Sequence, residues 1–150
     1  MSPVQLSLKG RALRLLSGRE HSRTELERKL AKFEEEPGTL KSALDQLQAK
    51  GFISEQRVIE SVLHRRAAKL GTARLKHELQ GKGLDPQAVA QAMAELKLSE
   101  NERALAVWQK KFGVAPATPL EAARQIRFLV ARGFGAEAIR GVVNITTASE

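Results

Sequence analysis

The sequence contains no cysteine, no tyrosine and only one tryptophan among its 150 residues. Without cysteine, disulfide bonds and thiolate metal ligands are excluded. Aromatic residues make up 4% of the chain, whereas one large hydrophobic core generally buries more ring area than that. We therefore expect an elongated stack of several small cores, filled mainly by leucine, valine, isoleucine and alanine.

Long apolar runs are also lacking. No uninterrupted apolar stretch approaches the roughly 20 residues that a membrane-spanning helix requires. The segment from Met1 to Gly10 has no apolar core and no small-residue cleavage site of the kind found in secretory leaders. We therefore expect a cytoplasmic protein that makes no contact with a membrane.

No motif for catalysis or for cofactor binding is present. His21, His64 and His77 are the only histidines, and no two of them have the i, i+4 spacing of a zinc-binding helix. The chain contains no G-x-S-x-G nucleophile elbow and no glycine-rich phosphate loop. We expect a protein that is not an enzyme and that holds neither metal nor cofactor, with each histidine on the surface or beside a helix cap.

Positive charge dominates the chain, with a formal net charge of +8 and a pI of about 10.2. A surplus of this size favours a polyanionic or acidic partner, because lysine and arginine release condensed counterions from phosphate backbones. The alternative is a solvated basic surface that only keeps a helical protein soluble.

Helix start signals recur along the chain. Residues 22–25, Ser-Arg-Thr-Glu, form a capping box, in which the serine oxygen accepts from the third amide and the glutamate bonds back to the cap. Residues 99–102 and 118–121 are interpreted as repeats of this device, the latter with Pro119 at the first helical position. Asp85 followed by Pro86 predicts another helix start.

Helix stop signals recur as well. Lys50-Gly51-Phe52, Lys82-Gly83-Leu84 and Arg132-Gly133-Phe134 each place a cation, a glycine and an apolar residue in succession. The cation offsets the negative end of the helix dipole, and the glycine takes the left-handed conformation that ends a helix. Extended alternation of apolar and polar residues is absent, so we predict an all-α protein.

The chain also repeats itself. Leu26 and Leu30 match Leu75 and Leu79 at an offset of 49, and residues 79–84 match residues 129–134 at an offset of 50. Periods of 20–50 residues are typical of units that bury their apolar faces by stacking. We predict three tandem three-helix units, each with a longer first helix and a short capped second helix. The three units span residues 10–56, 57–102 and 103–144, and tails at 1–9 and 145–150 flank them. An acidic loop, 34–38, is inserted in the first unit.

The excess positive charge falls on corresponding helices of these units. Residues 57–82 carry seven lysines and arginines against two glutamates, and residues 9–32 carry eight against three. Arg65 and Lys69, at i and i+4, are expected to project together from one helix. No aromatic residue is expected to interleave with the charge, so base stacking is poorly supported. The candidate binding residues are Arg19, Arg23, Arg28, Arg65, Arg66, Lys69, Arg74, Lys76, Lys82, Arg124, Arg127 and Arg132.

Four blocks of sequence resemble a known family. Residues 12–30, ALRLLSGREHSRTELERKL, are similar to the N-terminal signature of the RecX family. The blocks at 44–52, 65–84 and 128–134 resemble its later signatures, so the resemblance covers nearly the whole chain. One departure is that Val58 and Ile59 stand where the family usually has an aromatic residue and alanine, which affects packing between the first two units.

The resemblance implies a curved, crescent-shaped helical protein that binds RecA. Members of the family occupy the groove of the RecA–DNA filament and reduce its ATPase, strand-exchange and coprotease activities in DNA repair and recombination. It implies contact with single- or double-stranded DNA that is weak and independent of sequence, and we expect a monomer. Two alternatives are a RecA-independent DNA-binding protein of the helix-turn-helix type and a general scaffold for acidic proteins.

Overall fold

The regular structure of the protein is helical throughout the part that the computed structural model describes, residues 5–148, with side chains described for residues 5–143. The first three α-helices are followed by three more in the middle of the chain and three near its end. Their bounds are α1 Leu8–Gly18, α2 Arg23–Leu30, α3 Thr39–Ala49, α4 Glu55–Arg66, α5 Thr72–Gly81, α6 Pro86–Lys97, α7 Glu100–Lys111, α8 Pro119–Ala131 and α9 Ala136–Ala148. A 3-10 turn, Ala31–Phe33, follows α2. The all-α prediction is confirmed.

Three hydrophobic cores are present in the described residues, and each lies within one predicted unit. The first core is built around Leu26 and Leu44, the second around Leu75 and Leu79, and the third around Trp108 and Leu129. On α4, Val58, Ile59 and Val62 are buried and enter the second core. Small separate cores agree with the scarcity of aromatic residues.

Side-chain caps start several helices as predicted. The capping box at α2 is complete, because Ser22 Oγ accepts from the amide of Glu25 and the Glu25 carboxylate accepts from the amide of Ser22. Thr118 caps α8, but the carboxylate of Glu121 accepts from the amide of Ala117 and not from that of Thr118. Asp85 caps α6 by accepting from Gln87. These caps satisfy amides that would otherwise lack an acceptor at the helix start.

The capping box predicted at residues 99–102 is wrong. Ser99 Oγ donates to the carbonyl oxygen of Leu96 at 3.0 Å and so turns back onto the preceding helix. Glu100 is buried instead, and its carboxylate accepts from the amide of Thr72 in the second unit at 3.1 Å. Glu102, which would complete the box, is exposed, and α7 begins without a side-chain cap.

Helix ends follow the predicted glycine signals. Gly51, Gly83 and Gly133 all have positive φ angles, and the amide of Phe134 donates to the carbonyl oxygen of Leu129 at 3.2 Å, which closes the end of α8. The second helices are less uniform than predicted. They have 8, 10 and 13 residues, so α8 is not short, and α5 begins after Gly71 without a side-chain cap.

The ends of the helical region also differ from the predicted tails. α1 already begins at Leu8, and α9 continues to Ala148, beyond the predicted end of the third unit at residue 144. Residues 1–4 and 149–150 of the predicted tails lie outside the described residues. Within residues 5–148 no helix is both long enough and apolar enough to span a membrane.

The second helices of the three units meet end to end. The end of α8 contacts the start of α5, where the amide of Gly71 donates to the carbonyl oxygen of Arg132 at 2.7 Å. The end of α5 contacts the start of α2 in the same way, where Ser22 Oγ donates to the carbonyl oxygen of Lys82 at 2.6 Å. At both joints the negative end of one helix dipole meets the positive end of the next, which stabilises the order of the units.

Candidate polyanion-binding surface

The joint between the second and third units forms a hollow lined almost entirely by cations. Its volume is about 370 Å³, and it lies between the end of α4, the start of α5 and the end of α8. Five of the twelve predicted binding residues line it together with Leu70: Arg65, Arg66, Lys69, Arg74 and Arg132. The tertiary structure therefore brings together cations that are up to 67 positions apart in the chain.

Local structure places the α4 cations in this hollow. Arg65 and Arg66 occupy the last helical turn, and α4 ends at Arg66. Lys69 is not on the helix as the i, i+4 spacing predicted, because its amide donates to the carbonyl oxygen of Arg66 in the turn that follows. The turn keeps Lys69 beside Arg65 even though the helix has ended.

The end-to-end joint places the other two cations. Arg74 lies in the first turn of α5 and donates from Nη1 to the carbonyl oxygen of Ala131 at 3.0 Å, at the last residue of α8. Arg132 follows at the cap of α8, with its guanidinium 4.9 Å from the centre of the Phe128 ring. These contacts need Gly71 and Gly133, because a Cβ on Gly71 would lie 2.2 Å from the carbonyl carbon of Gly133.

Positive charge in the hollow is only partly neutralised. Arg66 pairs with Glu78 at 2.8 Å, whereas Arg65 donates only to the carbonyl oxygen of Ser61 on its own helix. Nε of Arg66 is a buried donor without a hydrogen-bond partner among the described residues. An unsatisfied guanidinium N–H beside four further cations is suited to an anionic oxygen.

A second hollow, of about 590 Å³, extends this surface. It shares Lys69 and Arg132 with the first, and it adds Lys110, Lys111 and the ring of Phe128. Lys110 and Lys111 were not predicted as binding residues, although two adjacent lysines at a helix end were visible in the sequence. We call the seven cations of the two hollows the junction surface: Arg65, Arg66, Lys69, Arg74, Lys110, Lys111 and Arg132.

Three predicted binding residues make internal ion pairs instead. Arg19 pairs with Glu25 at 2.7 Å, and Lys82 pairs with the other oxygen of Glu25 at 3.2 Å. Arg23 pairs with Glu27 and with Asp45. These side chains hold the first unit together and join it to the second, so less of their charge is directed to a partner.

The remaining predicted residues lie elsewhere. Lys76 is exposed on α5, and Arg124 and Arg127 are exposed on α8.

Arg28 donates to the carbonyl oxygen of Gly81 and lines a hollow of about 370 Å³ in the first unit with Arg11, Arg14, Lys29 and Lys32. Phe33 also lines it, with the Arg11 guanidinium 3.7 Å from its ring centre. The expectation that no aromatic residue interleaves with the charge is therefore wrong here.

His21 is buried beside Ser22, the cap residue that joins the first unit to the second, with 2% of its surface exposed, and not on the surface as one reading of the sequence allowed. Its Nδ1 lies 3.0 Å from the carbonyl oxygen of Arg19, and its Nε2 lies 3.0 Å from Nζ of Lys29. A neutral ring that donates from Nδ1 and accepts at Nε2 satisfies both contacts. Burial lowers the pKa of His21, because a charged imidazolium is poorly solvated there and faces the Lys29 ammonium.

Glu25 is the acidic centre of the same joint. Burial acts to raise its pKa, but hydrogen bonds from Arg19, the Ser22 amide and Lys82 outweigh that effect and lower the pKa to about 2. The carboxylate is thus charged throughout the physiological range. Its role is to tie α2 to the end of α5.

No group of His, Asp and Glu within the described residues is arranged to hold a metal ion. The donors that the junction surface exposes are guanidinium and ammonium groups, which bind phosphate or carboxylate oxygens. Such contacts position a polyanion without reading its sequence.

Comparison with known proteins identifies the family. The model of the first three-helix domain of RecX matches residues 9–47, and that of the third matches residues 99–143. The regulatory protein RecX of Leptothrix cholodnii is 49% identical over 94% of this chain and 90% of its own length. That of Herminiimonas arsenicoxydans is 44% identical over 100% of this chain and 99% of its own.

The fold agrees with solved structures of the same family. The crystal structure of RecX from Lactobacillus salivarius superposes with a TM-score of 0.76 at 17% identity, over 94% of this chain and 95% of that one. A second structure, of a regulatory protein RecX, gives a TM-score of 0.70 over 96% of this chain and 82% of its own. On the evidence of its sequence matches, with which the fold agrees, this chain belongs to the RecX family of regulatory proteins.

Proposed function

We propose that the protein inhibits RecA by binding in the groove of the RecA–DNA filament, in the cytoplasm, without catalysing a reaction. The junction surface is the observation that carries this proposal. Seven cations from three helices, the turn after α4 and the cap of α8 meet there. A filament groove that contains DNA and acidic protein surface offers the complementary charge.

The hollows suit phosphate oxygens in particular. Arg65 and Lys69 make no ion pair with the described residues, and the buried Nε of Arg66 lacks an acceptor. Occupation of the groove by these groups would act by steric exclusion and by charge, and it would lower ATPase, strand-exchange and coprotease activities together. The expected DNA contact is weak and independent of base sequence, because it is made to phosphates.

The decisive experiment measures RecA ATPase on single-stranded DNA with and without this protein. We expect inhibition by the wild type and weaker inhibition by Arg65→Glu/Lys69→Glu, because the reversed charges face the same phosphates. These two residues are chosen because neither side chain bonds across the unit joint, unlike that of Arg74, which donates to the carbonyl oxygen of Ala131.

The matched control is Lys50→Glu/Lys97→Glu, which changes the net charge equally at exposed positions, the cap of α3 and the last residue of α6. Equal loss of inhibition in both double variants would show that net charge and not this surface is responsible. Sequence-specific DNA affinity with RecA absent, and no effect on RecA, would instead support the helix-turn-helix alternative.

A further inference from the structure

The outer face of α8 exposes three large aliphatic side chains. Leu120 is 66% exposed, Ile126 38% and Val130 58%. At 100° per residue they lie within an arc of about 120° on the helix, roughly opposite the buried Gln125 and Leu129. The exposed side of α8 therefore combines these three apolar side chains with the exposed Arg127, which falls within the same arc.

The corresponding faces of the other second helices carry different residues. With Leu79 aligned on Leu129, Ile126 and Val130 correspond to Lys76 and Gln80 of α5, which are also exposed. In the first unit the same positions hold Glu27 and Ala31. The fold thus accepts polar side chains at this face, and the branched aliphatic residues are a particular property of the third unit.

The charges near this face are positive. Arg124 and Arg127 are exposed on the same side of α8, and the carboxylate of the neighbouring Glu121 is engaged by the amide of Ala117 at 2.7 Å. A nucleic-acid backbone gains little from aliphatic side chains, which cannot stack on bases as aromatic rings do. Burial of these side chains against apolar protein surface is favourable, and the two arginines complement carboxylates.

We propose that the outer face of α8 is a protein-docking surface for a partner whose surface combines apolar and acidic side chains. The inference rests on the proposed function: within the filament complex, α8 contacts the RecA subunits, whereas the junction surface faces the DNA phosphates. The two surfaces thereby divide protein and nucleic-acid contacts between them.

The test replaces two residues of α8 by the residue types found at the corresponding positions of α5, in the variant Ile126→Lys/Val130→Gln. Because the variant gains a positive charge, contact with DNA would become stronger, whereas contact with an apolar protein surface would become weaker. We expect affinity for the RecA filament on single-stranded DNA to fall at least about tenfold. Affinity for the same labelled oligonucleotide without RecA, measured by fluorescence anisotropy, should not fall.

Two further variants secure the comparison. Leu98→Gln removes an apolar side chain that is 88% exposed at the end of α6, and it should leave both affinities unchanged. Leu120→Lys changes the same α8 face at a separate position, and it should also weaken filament binding. It replaces the double variant as the test if the double variant lacks a native circular dichroism spectrum and melting transition.

The outcomes separate the two proposals. If the wild type inhibits RecA and the folded α8 variants bind the filament as tightly as it does, the docking proposal is wrong and the proposed function stands. If the wild type neither binds nor inhibits RecA, both are wrong. If light scattering shows a wild-type dimer that Ile126→Lys/Val130→Gln dissociates, the face joins two copies of this chain and the docking proposal is overturned.

Discussion

The amide of Gly71 donates a 2.7 Å hydrogen bond to the carbonyl oxygen of Arg132, so the start of α5 lies directly on the end of α8. The amide of Ala73 makes a second backbone contact, to the carbonyl oxygen of Gly133 at 3.3 Å. Backbone groups therefore join the second and third units, and the junction surface depends on this joint for the position of Arg132.

Gly71→Ala should destabilise the protein, because the added Cβ would lie 2.2 Å from the backbone of Gly133 and neither helix end can move freely. We expect a loss of about 1–3 kcal/mol or more in the free energy of unfolding, measured by urea titration. Gly141→Ala in α9 is the control: its Cβ would meet nothing within 4 Å, so it should be neutral or stabilise by up to about 1 kcal/mol. Equal stability of Gly71→Ala and wild type would contradict the close approach.

Arg103 should be a major source of stability at the same joint. Its guanidinium donates to the carbonyl oxygens of Ala67, Leu70 and Leu96 and to the hydroxyls of Thr72 and Ser99. Arg103→Ala removes these five hydrogen bonds and leaves the partly buried carbonyl oxygens of Ala67 and Leu70 without this donor, so we expect a loss of about 2–4 kcal/mol in chemical denaturation.

A lysine at position 103 tests the geometry of that network. Its single ammonium cannot reach all five acceptors, so Arg103→Lys should recover only part of the loss. Arg65→Ala, which removes one bond to its own helix, should change stability by no more than about 0.5 kcal/mol. Full recovery by lysine would show that charge alone is needed.

His21 should make stability depend on pH. Its folded pKa lies below 6.5 because of burial, so the unfolded chain binds the proton more tightly. Stability is therefore complete above pH 6.5 and decreases as the pH falls from 6.5 toward the lowered folded pKa. Urea midpoints between about pH 7.5 and about pH 5.5 should fall less steeply for His21→Gln than for the wild type.

The exposed His64 of α4 supplies the control for this titration. His64→Gln makes the same substitution at an exposed position of α4, and the slope of His21→Gln is compared with its slope. If the two variants show the same slope, the loss of stability toward acid pH has its source in groups other than the buried imidazole.

Lys69 should contribute a phosphate contact. Lys69→Ala should weaken binding to single-stranded DNA equally for different base sequences, and it should reduce the slope of log affinity against log salt by about 0.7. Lys97→Ala, at the exposed end of α6, should leave that slope unchanged. An unchanged slope for Lys69→Ala would place the DNA contact outside the hollow.

The all-helical class, the glycine helix ends and the repeat followed from local rules and could be predicted. The capping box at Ser22 needs only residues within one turn, and Gly51, Gly83 and Gly133 each need only their own left-handed φ angle. The same local rules were wrong at Ser99, whose hydroxyl turns back to the carbonyl oxygen of Leu96, while Glu102, the glutamate that a capping box would use, is exposed. They also put Lys69 on a helix that ends three residues earlier.

The candidate surface could be predicted only in composition. Twelve cations were identified by charge, but five of them meet in one hollow, and Arg19, Arg23 and Lys82 form internal pairs. Lys110 and Lys111 were overlooked because their closeness to Arg132 results from packing between α7 and α8. The stacking of Arg11 on Phe33 likewise depends on how α1 meets the 3-10 turn.

The sequence by itself determined that the protein is all-helical and repetitive, where the glycine-ended helices stop, and that the surface is strongly basic, since these depend on spacing and composition. Only the tertiary structure decided which cations share a hollow, that His21 is buried, and that the apolar face of α8 stays uncovered. The physical reason is that these properties depend on how the helices pack against one another in three dimensions. Gly71 and Arg132 are 61 positions apart, and no local pattern contains their hydrogen bond.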